Sequence, residues 1–350
     1  MSDAETTDFD GIDEPTPVGV KLGSTRTVLD LPDGRGERER HSTLTCLATY
    51  DDAITGEEQA LYGHEAAIEY PDTVRFMLRS GLPEDGGSVA DAERFFEAVV
   101  NAHDVPEESV VVYAVPTIDN EAGVDNLKAV IEGSTVGEAE TRSFPESLCG
   151  AIPAYGDGLD AVDEVFISIN MGSTTLEACA YRRGEQLSPF STGSVTGNEV
   201  DRWIVSAVEE ETQGRVHIDR TTAREYKEEH ADVDDFEPFT DVVQQPGGGS
   251  HEFTVDRGVC DPVDRYIDDA VNVVANEFLP ALANDHMKPY QLALGRPVAI
   301  TGGMACIPGL VEEFETRLSA ELDRDVEVVS PDDPATAAAE GAARIAERLV

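Results

Sequence analysis

Two copies of the tripeptide Gly-Ser-Thr lie in the same setting, and this repeat constrains the fold more than any other feature of the chain. Residues 23–25 separate strands predicted at 18–22 and 27–31, and residues 172–174 separate strands predicted at 165–169 and 176–181. Alternating or continuous apolar residues in each segment are typical of strands. A shared tripeptide alone is a weak signal, but the shared strand-turn-strand setting indicates an internal duplication at the scale of a domain.

The length of 350 residues exceeds one ordinary core, which favours an α/β protein of two similar lobes. We predict a solvated acidic tail over 1–16, a lobe I over 17–160 and a lobe II over 161–350. Small subdomains are expected to be inserted at about 46–87 in lobe I and at about 215–285 in lobe II. A helix over 335–349 is predicted to pack on the body of the protein, with a return to lobe I left open.

Finer expectations concern three of the predicted elements. Ser88 is expected to cap a helix whose apolar face includes Phe95 and Phe96. A long amphipathic helix that starts near Val263 is expected to end near Pro280. Residues 229–252 are expected to form a loop or small subdomain that ends in a flexible segment over 246–249.

The net charge of the chain argues against two classes of partner. The chain has 71 acidic and 25 basic residues, a formal net charge of -46, so general nucleic-acid binding and adhesion to anionic lipid are not expected. Only four of the basic residues are lysines: Lys21, Lys128, Lys227 and Lys288. Self-repulsion of this size is tolerable where molar salt shortens the screening length to about 3 Å, which indicates a cytosol of high salt.

Cysteine, histidine and hydropathy patterns narrow the class further. The five cysteines are widely separated with no Cys-x-x-Cys, and the seven histidines are scattered, so neither a disulfide framework nor a structural metal is expected. No run approaches 18 apolar residues, and the first residues are acidic. We therefore predict a soluble cytoplasmic protein with no direct membrane binding.

Common nucleotide and hydrolase motifs are absent from the sequence. It has no Gly-Lys dipeptide for a P-loop, no G-x-G-x-x-G and no G-x-S-x-G. What remains is the pair of glycine turns, each followed by hydroxyl side chains. Gly lets successive N–H groups converge and Ser or Thr adds donors, so two facing turns form a clamp for polyphosphate. Ordinary hairpin turns are the alternative. The residues concerned are Gly23, Ser24, Thr25 and Thr27, and Gly172, Ser173, Thr174 and Thr175.

Five motifs, in family order over residues 18 to about 345, resemble those of the actin superfamily. VGVKLGSTRT and INMGSTTLE are similar to its two phosphate motifs. SVTGNEVDRWIVSAV and DRTTAREYKEEH resemble the helices beside the nucleoside in the bacterial shape-determining actin MreB. AITGGMACIPGL and SPDDPATAAAEGA resemble the adenosine motif and the closing segment. Among known members, the haloarchaeal actins fit the charge best.

This resemblance implies an actin-like, ribonuclease H-like duplicated α/β fold with ATP, or GTP, in a cleft between the lobes. The two Gly-Ser-Thr turns and Thr175 would hold phosphates, and Gly197 and Asn198 would lie near the ribose. Glu146, in FPESLCGAI, aligns with the water-orienting carboxylate of the family. The adenine would be framed by Lys227, Glu228, Gly302, Gly303 and Met304.

Two departures from the family pattern alter the expected chemistry. Family members carry an Asp at the start of each phosphate loop, where the carboxylates organise hydrated Mg²⁺, but these positions are Lys21 and Asn170 here. Lys21 either pairs with Glu146 or another acid, or lies beside the β- or γ-phosphate. Exchanging Asp for Lys changes the local charge by two units, so we expect polyphosphate binding with little Mg²⁺ dependence and, at most, a weak ATPase.

The function that the resemblance implies is a cytoskeletal actin that polymerises head to tail, for cell shape or intracellular organisation. Two alternatives stay open at this point: a non-polymerising regulatory or chaperone-like member of the same fold, and a small-molecule kinase. The partner expected is a further copy of the chain.

Overall fold

The computed structural model describes residues 14–118, 120–156, 158–245 and 249–350. Most of the predicted tail and residues 246–248 of the predicted flexible segment lie outside the described residues. The strands are β1 (Thr16–Leu22), β2 (Arg26–Pro32), β3 (Arg38–Leu44), β4 (Cys46–Asp51), β5 (Glu58–Tyr62), β6 (Arg75–Phe76), β7 (Ser109–Val115), β8 (Glu140–Pro145), β9 (Val165–Met171), β10 (Leu176–Arg182), β11 (Glu185–Thr192), β12 (Phe239–Gln245), β13 (Gly249–Val255), β14 (Val298–Thr301) and β15 (Val328–Val329).

Two five-stranded sheets have the same topology. The first has the order β3-β2-β1-β7-β8 and the second the order β11-β10-β9-β14-β15. In each sheet the first three strands are antiparallel and the last two add in parallel. The strand that precedes each Gly-Ser-Thr turn, β1 or β9, is the central one, so the duplication predicted from the tripeptides extends to whole sheets.

Helices cover these sheets and connect their strands. No helix within the described ranges has both the length and the apolar character needed to cross a bilayer. The helices are α1 (Gly63–Glu69), α2 (Gly86–Ala102), α3 (Glu121–Glu132), α4 (Glu146–Ala154), α5 (Gly197–Glu211), α6 (Arg220–His230), α7 (Cys260–Val273), α8 (Leu279–Asp285), α9 (Met287–Ala293), α10 (Leu310–Glu321) and α11 (Ala337–Leu349).

Strand β7 shows why the first sheet is buried on both faces. Val111 and Tyr113 pack with α2 and α3, whereas Val110, Val112 and Ala114 pack with α4 and α11. Successive side chains of a strand point to opposite faces, so an unbroken apolar run fits a sheet that lies between two helical layers.

Helix α11, which is close to the C-terminus, packs against the first sheet through small residues. A β-carbon on Gly19 of β1 would lie 2.1 Å from the carbonyl oxygen of Ala339, and one on Gly341 would lie 1.9 Å from that of Cys149 in α4. Both glycines are therefore required by close backbone approach. The return of this helix to the sheet built by β1 and β7 ties the end of the chain to its beginning.

Two smaller sheets extend from the large ones. Strands β4, β5 and β6 form a three-stranded antiparallel sheet within the region predicted as an inserted subdomain at 46–87. Strands β12 and β13 form an antiparallel pair that overlaps the segment 229–252, which was predicted to be a loop or a small subdomain. From residue 239 onward the described part of that segment is therefore paired strand.

Two helix boundaries differ from the sequence prediction. The cap of α2 is Asp85, whose side chain accepts hydrogen bonds from the backbone N–H groups of Gly87 and Ser88. Ser88 completes the capping box from within the first turn, so the prediction that Ser88 is the cap residue is wrong. The helix from α7 also does not end at Pro280. A π-helical turn over Val274–Phe278 leads into α8, where Pro280 lies in the first turn and its missing N–H does little harm.

Candidate nucleotide-binding site

A cleft of about 480 Å³ lies between the two large sheets and is lined by residues from both. Thr27 and Gly302 are the residues predicted to hold a nucleotide that do not line this cleft; the others do, and so does Glu146. Thr27 is buried in β2, where its hydroxyl lies 2.8 Å from Thr45 Oγ1. The residues that line it as predicted are Lys21, Gly23, Ser24, Thr25, Glu146, Asn170, Gly172, Ser173, Thr174, Thr175, Gly197, Asn198, Lys227, Glu228, Gly303 and Met304.

The two Gly-Ser-Thr turns have the same local geometry. The N–H of Gly23 donates to the carbonyl of Arg26 at 3.2 Å, and the N–H of Gly172 donates to the carbonyl of Thr175 at 2.9 Å. A β-carbon on either glycine would lie 2.8 Å from that carbonyl oxygen. Glycine is thus needed at both positions because the turn folds back onto the residue itself.

Side-chain hydroxyls join the two turns directly across the cleft. Ser24 Oγ and Thr174 Oγ1 lie 3.1 Å apart, and Thr25 Oγ1 donates to Ser173 Oγ at 2.8 Å. Ser24 Oγ also accepts a hydrogen bond from the backbone N–H of Gly81 at 2.6 Å. The turns therefore face each other and bring backbone and hydroxyl donors from both halves of the chain into one small volume.

Glu146, the first residue of α4, joins the two positions at which the sequence departs from the family pattern. Its Oε1 lies 2.7 Å from Lys21 Nζ and accepts a hydrogen bond from Asn170 Nδ2 at 3.0 Å. The pairing of Lys21 with Glu146 is one of the two arrangements that the sequence left open. The carboxylate at this point of the cleft thus comes from the connecting helix, and a cation compensates it.

A second ion pair is buried beside the turn at 172–174. Lys227 Nζ lies 2.5 Å from Asp201 Oδ1 and donates to the carbonyl of Gly197 at 3.1 Å. Burial raises the pKa of Asp201, and the Lys227 ammonium opposes this shift. Asp201 was not among the predicted site residues, although it lies four residues after Gly197 in the segment SVTGNEVDRWIVSAV.

Charges are balanced within the cleft. Its lining contains four basic and four acidic residues, in a chain with 71 acidic residues against 25 basic ones. Since the rest of the protein repels anions, this local balance is what an anionic ligand requires. The basic residues are Lys21, Arg26, Arg224 and Lys227, and the acidic ones are Glu146, Asp201, Glu228 and Asp333.

Arg26 and Glu228 form an ion pair across the cleft, with Arg26 Nη2 and Glu228 Oε2 2.8 Å apart. Arg26 begins β2, and Glu228 belongs to α6. Both side chains are more than one-third exposed, so the pair contributes little to stability. Arg26 and Arg224 were not among the predicted site residues, because a single arginine has no local sequence pattern that separates a ligand-facing role from a solvated one.

Gly302, like Thr27, does not line the cleft. Its φ of +95° lies in the region that favours glycine, and a β-carbon there would lie 2.5 Å from the carbonyl oxygen of Met171. It packs against the end of β9, and the next residue, Gly303, lines the cleft. Around Gly303 a β-carbon would meet nothing within 4 Å. The remaining lining residues on this side, which were not predicted, include Ala231, Cys306, Ile307, Pro308, Ala335 and Thr336.

The carboxyl group of Glu177 lies beneath the cleft and was not predicted from the sequence. Glu177 in β10 is 1% exposed and accepts hydrogen bonds from the backbone N–H of Thr117 at 2.8 Å and from Thr175 Oγ1 at 3.3 Å. Burial, with a contribution from the charge of Glu146, raises the pKa of Glu177 to about 7. No periodic signal identifies it, because β10 is buried on both faces.

Comparison with known proteins assigns the chain to a family. Its sequence matches the Salactin family over residues 15–350. The chain belongs to the Salactin family. It is 63% identical over 345 residues to Salactin of Halobacterium salinarum. The alignment covers 99% of this chain and 95% of that protein.

Solved structures show the fold of this Salactin family member. MreB5 of Spiroplasma citri bound to ADP has a TM-score of 0.75 at 16% identity, and covers 96% of this chain and 97% of its own. The same protein bound to AMPPNP has a TM-score of 0.75 at 15% identity, with 96% of each chain covered. A MamK double helical filament has a TM-score of 0.74 at 19% identity, with 94% and 98% covered.

These results confirm the predicted actin-superfamily membership and the predicted actin-like fold. The family match covers residues 15–350, and the fold neighbours cover 94–96% of the chain, so both findings apply to the same nearly complete length.

Proposed function

We propose that the chain binds ATP or GTP in the cleft and assembles with further copies of itself into filaments. The observation that carries this proposal is the direct hydroxyl contact between two matching turns, Ser24 with Thr174 and Thr25 with Ser173. A polyphosphate between them meets backbone and hydroxyl donors from both sides. The balanced charge of the lining supports the same ligand class.

The described residues fit a nucleotide at three places in the cleft. The turns at 23–25 and 172–175 supply donors for the phosphates, and Gly197 with Asn198, at the start of α5, faces the same space. Gly303 and Met304, together with Lys227 and Glu228, line the side proposed for the base. We keep the division into a lobe I over 17–160 and a lobe II over 161–350 as part of this proposal.

The donor set around the phosphates favours binding with little dependence on Mg²⁺. Among the described residues, the carboxylate that joins the two loop starts is that of Glu146, and it already contacts Lys21 and Asn170. Mg²⁺ at a phosphate site is usually held by one or two free carboxylates together with the phosphates. We propose that the Lys21 ammonium supplies part of the neutralisation that a metal supplies elsewhere.

Hydrolysis is proposed to be slow for the same reason. Lys21 and Asn170 occupy the positions at which family members carry the carboxylates that organise hydrated Mg²⁺, so metal-assisted attack by water is expected to weaken. Oε1 of Glu146 is shared between Lys21 and Asn170, and its second oxygen remains to orient water. A weak ATPase, with filament turnover set by slow hydrolysis, follows from this arrangement.

Assembly is supported by the fold neighbours. One MamK structure is described as a double helical filament, and a MamK variant is described as non-polymerising. A surface contact between two different faces of identical subunits repeats without closing and gives a filament. We propose such a filament for this chain, in a cytosol of high salt, in cell shape or intracellular organisation.

Two measurements test the proposal. Calorimetric titration with a non-hydrolysable ATP or GTP analogue in molar KCl, with and without a chelator, is expected to show binding that survives metal removal. Electron microscopy under the same conditions, with and without nucleotide, is expected to show filaments. Particles that bind nucleotide but stay monomeric would favour a non-polymerising regulatory role, and phosphorylation of a small molecule in a coupled assay would favour a kinase.

A further inference from the structure

Glu177 has no part in the nucleotide site as proposed, yet it lies where that site meets both halves of the chain. Its carboxyl accepts from Thr117, which follows β7 of the first sheet, and from Thr175 of the second glycine turn. Thr175 lines the cleft, whereas Glu177 lies behind it. The Glu177 carboxyl thus contacts Thr175, which faces the ligand, but does not itself face the ligand.

Glu146 lines the cleft and Glu177 lies behind it, near enough for the charge of Glu146 to act on Glu177, and among the described residues only Glu146 has a cation as a partner. Glu146 lies 2.7 Å from Lys21 Nζ. Glu177 has only neutral donors, a backbone N–H and a hydroxyl, among the described residues. When a triphosphate adds negative charge nearby, the uncompensated carboxyl is the one that is driven to take up a proton.

The groups that face Glu177 are few. Glu146 faces it from α4, and Asn170 is its neighbour across the strand pair β9–β10. On its own strand, the buried thiol of Cys179 lies two residues on and the phenol of Tyr181 four residues on. Apart from Glu146 these groups are neutral near pH 7, so the charge of Glu177 is set by burial, by Glu146 and by the ligand.

We propose that Glu177 is a positioning residue whose carboxylate is protonated when a triphosphate binds, which turns the Thr175 hydroxyl toward the phosphates. The inference rests on the proposed nucleotide site. The proton comes from the buffer and converts the carboxylate to a neutral carboxylic acid. The raised pKa of Glu177 in the ligand-free protein supports this, because a small further rise is enough to change the charge of the carboxyl near neutral pH.

The hydrogen bond between Thr175 and Glu177 explains how the two events are coupled. A carboxylate only accepts hydrogen bonds, so the Thr175 hydroxyl must direct its hydrogen at Glu177. A protonated carboxyl can donate to Thr175 Oγ1 instead. The hydroxyl hydrogen of Thr175 is then free for a phosphate oxygen, and the second carboxylate no longer repels the ligand.

Calorimetric titration with a non-hydrolysable ATP analogue tests the inference when it is repeated in buffers of different ionisation enthalpy. Near pH 7.5, where the ligand is largely ionised, we expect an uptake of about half a proton or more per nucleotide bound. The variant Glu177→Gln, whose amide can donate to Thr175 permanently, is expected to bind with no such uptake. Glu185→Gln, which changes an exposed carboxylate of β11, is the matched control and is expected to keep the uptake.

The outcomes separate the two proposals. Binding with heats that do not depend on the buffer, or equal uptake by wild type and Glu177→Gln, overturns the role of Glu177 and leaves the nucleotide site intact. Absence of binding by the wild-type protein overturns the nucleotide site and this inference with it. Circular dichroism of Glu177→Gln establishes that the variant is folded, and the buffer dependence of the wild type tests the proton uptake without any variant.

Discussion

Thr25 and Ser173 meet across the cleft, where Thr25 Oγ1 donates a hydrogen bond to Ser173 Oγ at 2.8 Å. The two residues follow equivalent glycines in two sheets of the same topology. In the free protein each hydroxyl satisfies the other, so a ligand between the turns must offer oxygens that replace this bond. Phosphate oxygens do so, with the stronger hydrogen bonds that an ionised acceptor makes.

Thr25→Val keeps the shape of the side chain and removes the hydroxyl. If the hydroxyl contacts phosphate, the dissociation constant of a non-hydrolysable triphosphate should rise about tenfold or more, since hydrogen bonds to charged groups contribute about 1.5–3 kcal/mol. Calorimetric titration measures this. Thr254→Val, on the exposed face of β13, is the control. Equal affinities for wild type and Thr25→Val would remove this residue from the site.

Lys21→Asp restores an acidic group at the start of the first glycine turn. We expect metal-free affinity to fall by about 100-fold or more, because the local charge changes by two units at a distance of a few ångströms. Mg²⁺ should restore much of the loss. Titrations with chelator and with Mg²⁺ give the comparison, and Lys128→Asp, in the exposed part of α3, is the control. A wild-type affinity that collapses in chelator would contradict the proposed role of Lys21.

Glu177→Gln is expected to change how stability depends on pH in the ligand-free protein. The folded protein raises the pKa of Glu177 from about 4.5 to about 7, so its charged form is disfavoured by folding. This group therefore lowers the free energy of unfolding as pH rises from about 4.5 to about 7, by roughly 3 kcal/mol in total. Glu177→Gln has no ionisable group at this position, so its free energy of unfolding does not fall for this reason.

Denaturant unfolding of both proteins at pH 5 and at pH 8, in the same salt, measures this difference. The variant should gain stability relative to wild type between the two values, while the effects of the other acidic residues cancel in the comparison. A difference that does not change with pH would mean that Glu177 titrates in the ordinary range.

Gly172→Ala tests the close turn. Its β-carbon would lie 2.8 Å from the carbonyl oxygen of Thr175, so the turn must open. We expect a loss of about 1–3 kcal/mol in the free energy of unfolding and weaker triphosphate binding. Gly86→Ala, in the first turn of α2 with nothing within 4 Å, should leave triphosphate binding unchanged and should not lower the free energy of unfolding. If both variants behave alike, the turn is more adaptable than its geometry indicates.

Asp201→Asn removes the charge that balances Lys227. Both side chains are less than one-tenth exposed, so the ammonium is left buried without an anion. The expected loss of stability is about 3 kcal/mol. Glu132→Gln removes the partner of Lys128 in an exposed pair and should cost less than about 0.5 kcal/mol. Chemical denaturation of the two variants gives both values, and similar losses would show that the Lys227 site is well hydrated.

The features that could be predicted from the sequence are those marked by residues adjacent in the chain. The turns at Gly23 and Gly172 can be recognised because glycine, hydroxyl residues and flanking strands are adjacent in the chain. Asp201 and Glu177 could not be found in this way, since their importance comes from burial against Lys227 and Thr117, which belong to other elements. Asp85 and Ser88 are both good caps, and only the backbone shows which of them starts α2. The continuation through Pro280 depends on a π turn that has no recognisable sequence pattern.

Helix α11 fills a groove between β1, β7 and α4 in which Gly19 and Gly341 allow backbones to touch. The layer that covers the first sheet thus combines residues synthesised early with residues synthesised more than 300 positions later. During translation Val110, Val112 and Ala114 have only part of their cover, from α4, until residues 337–349 leave the ribosome. Any nascent chain that stops short of α11 exposes an apolar sheet face, which makes it a substrate for chaperones or proteases.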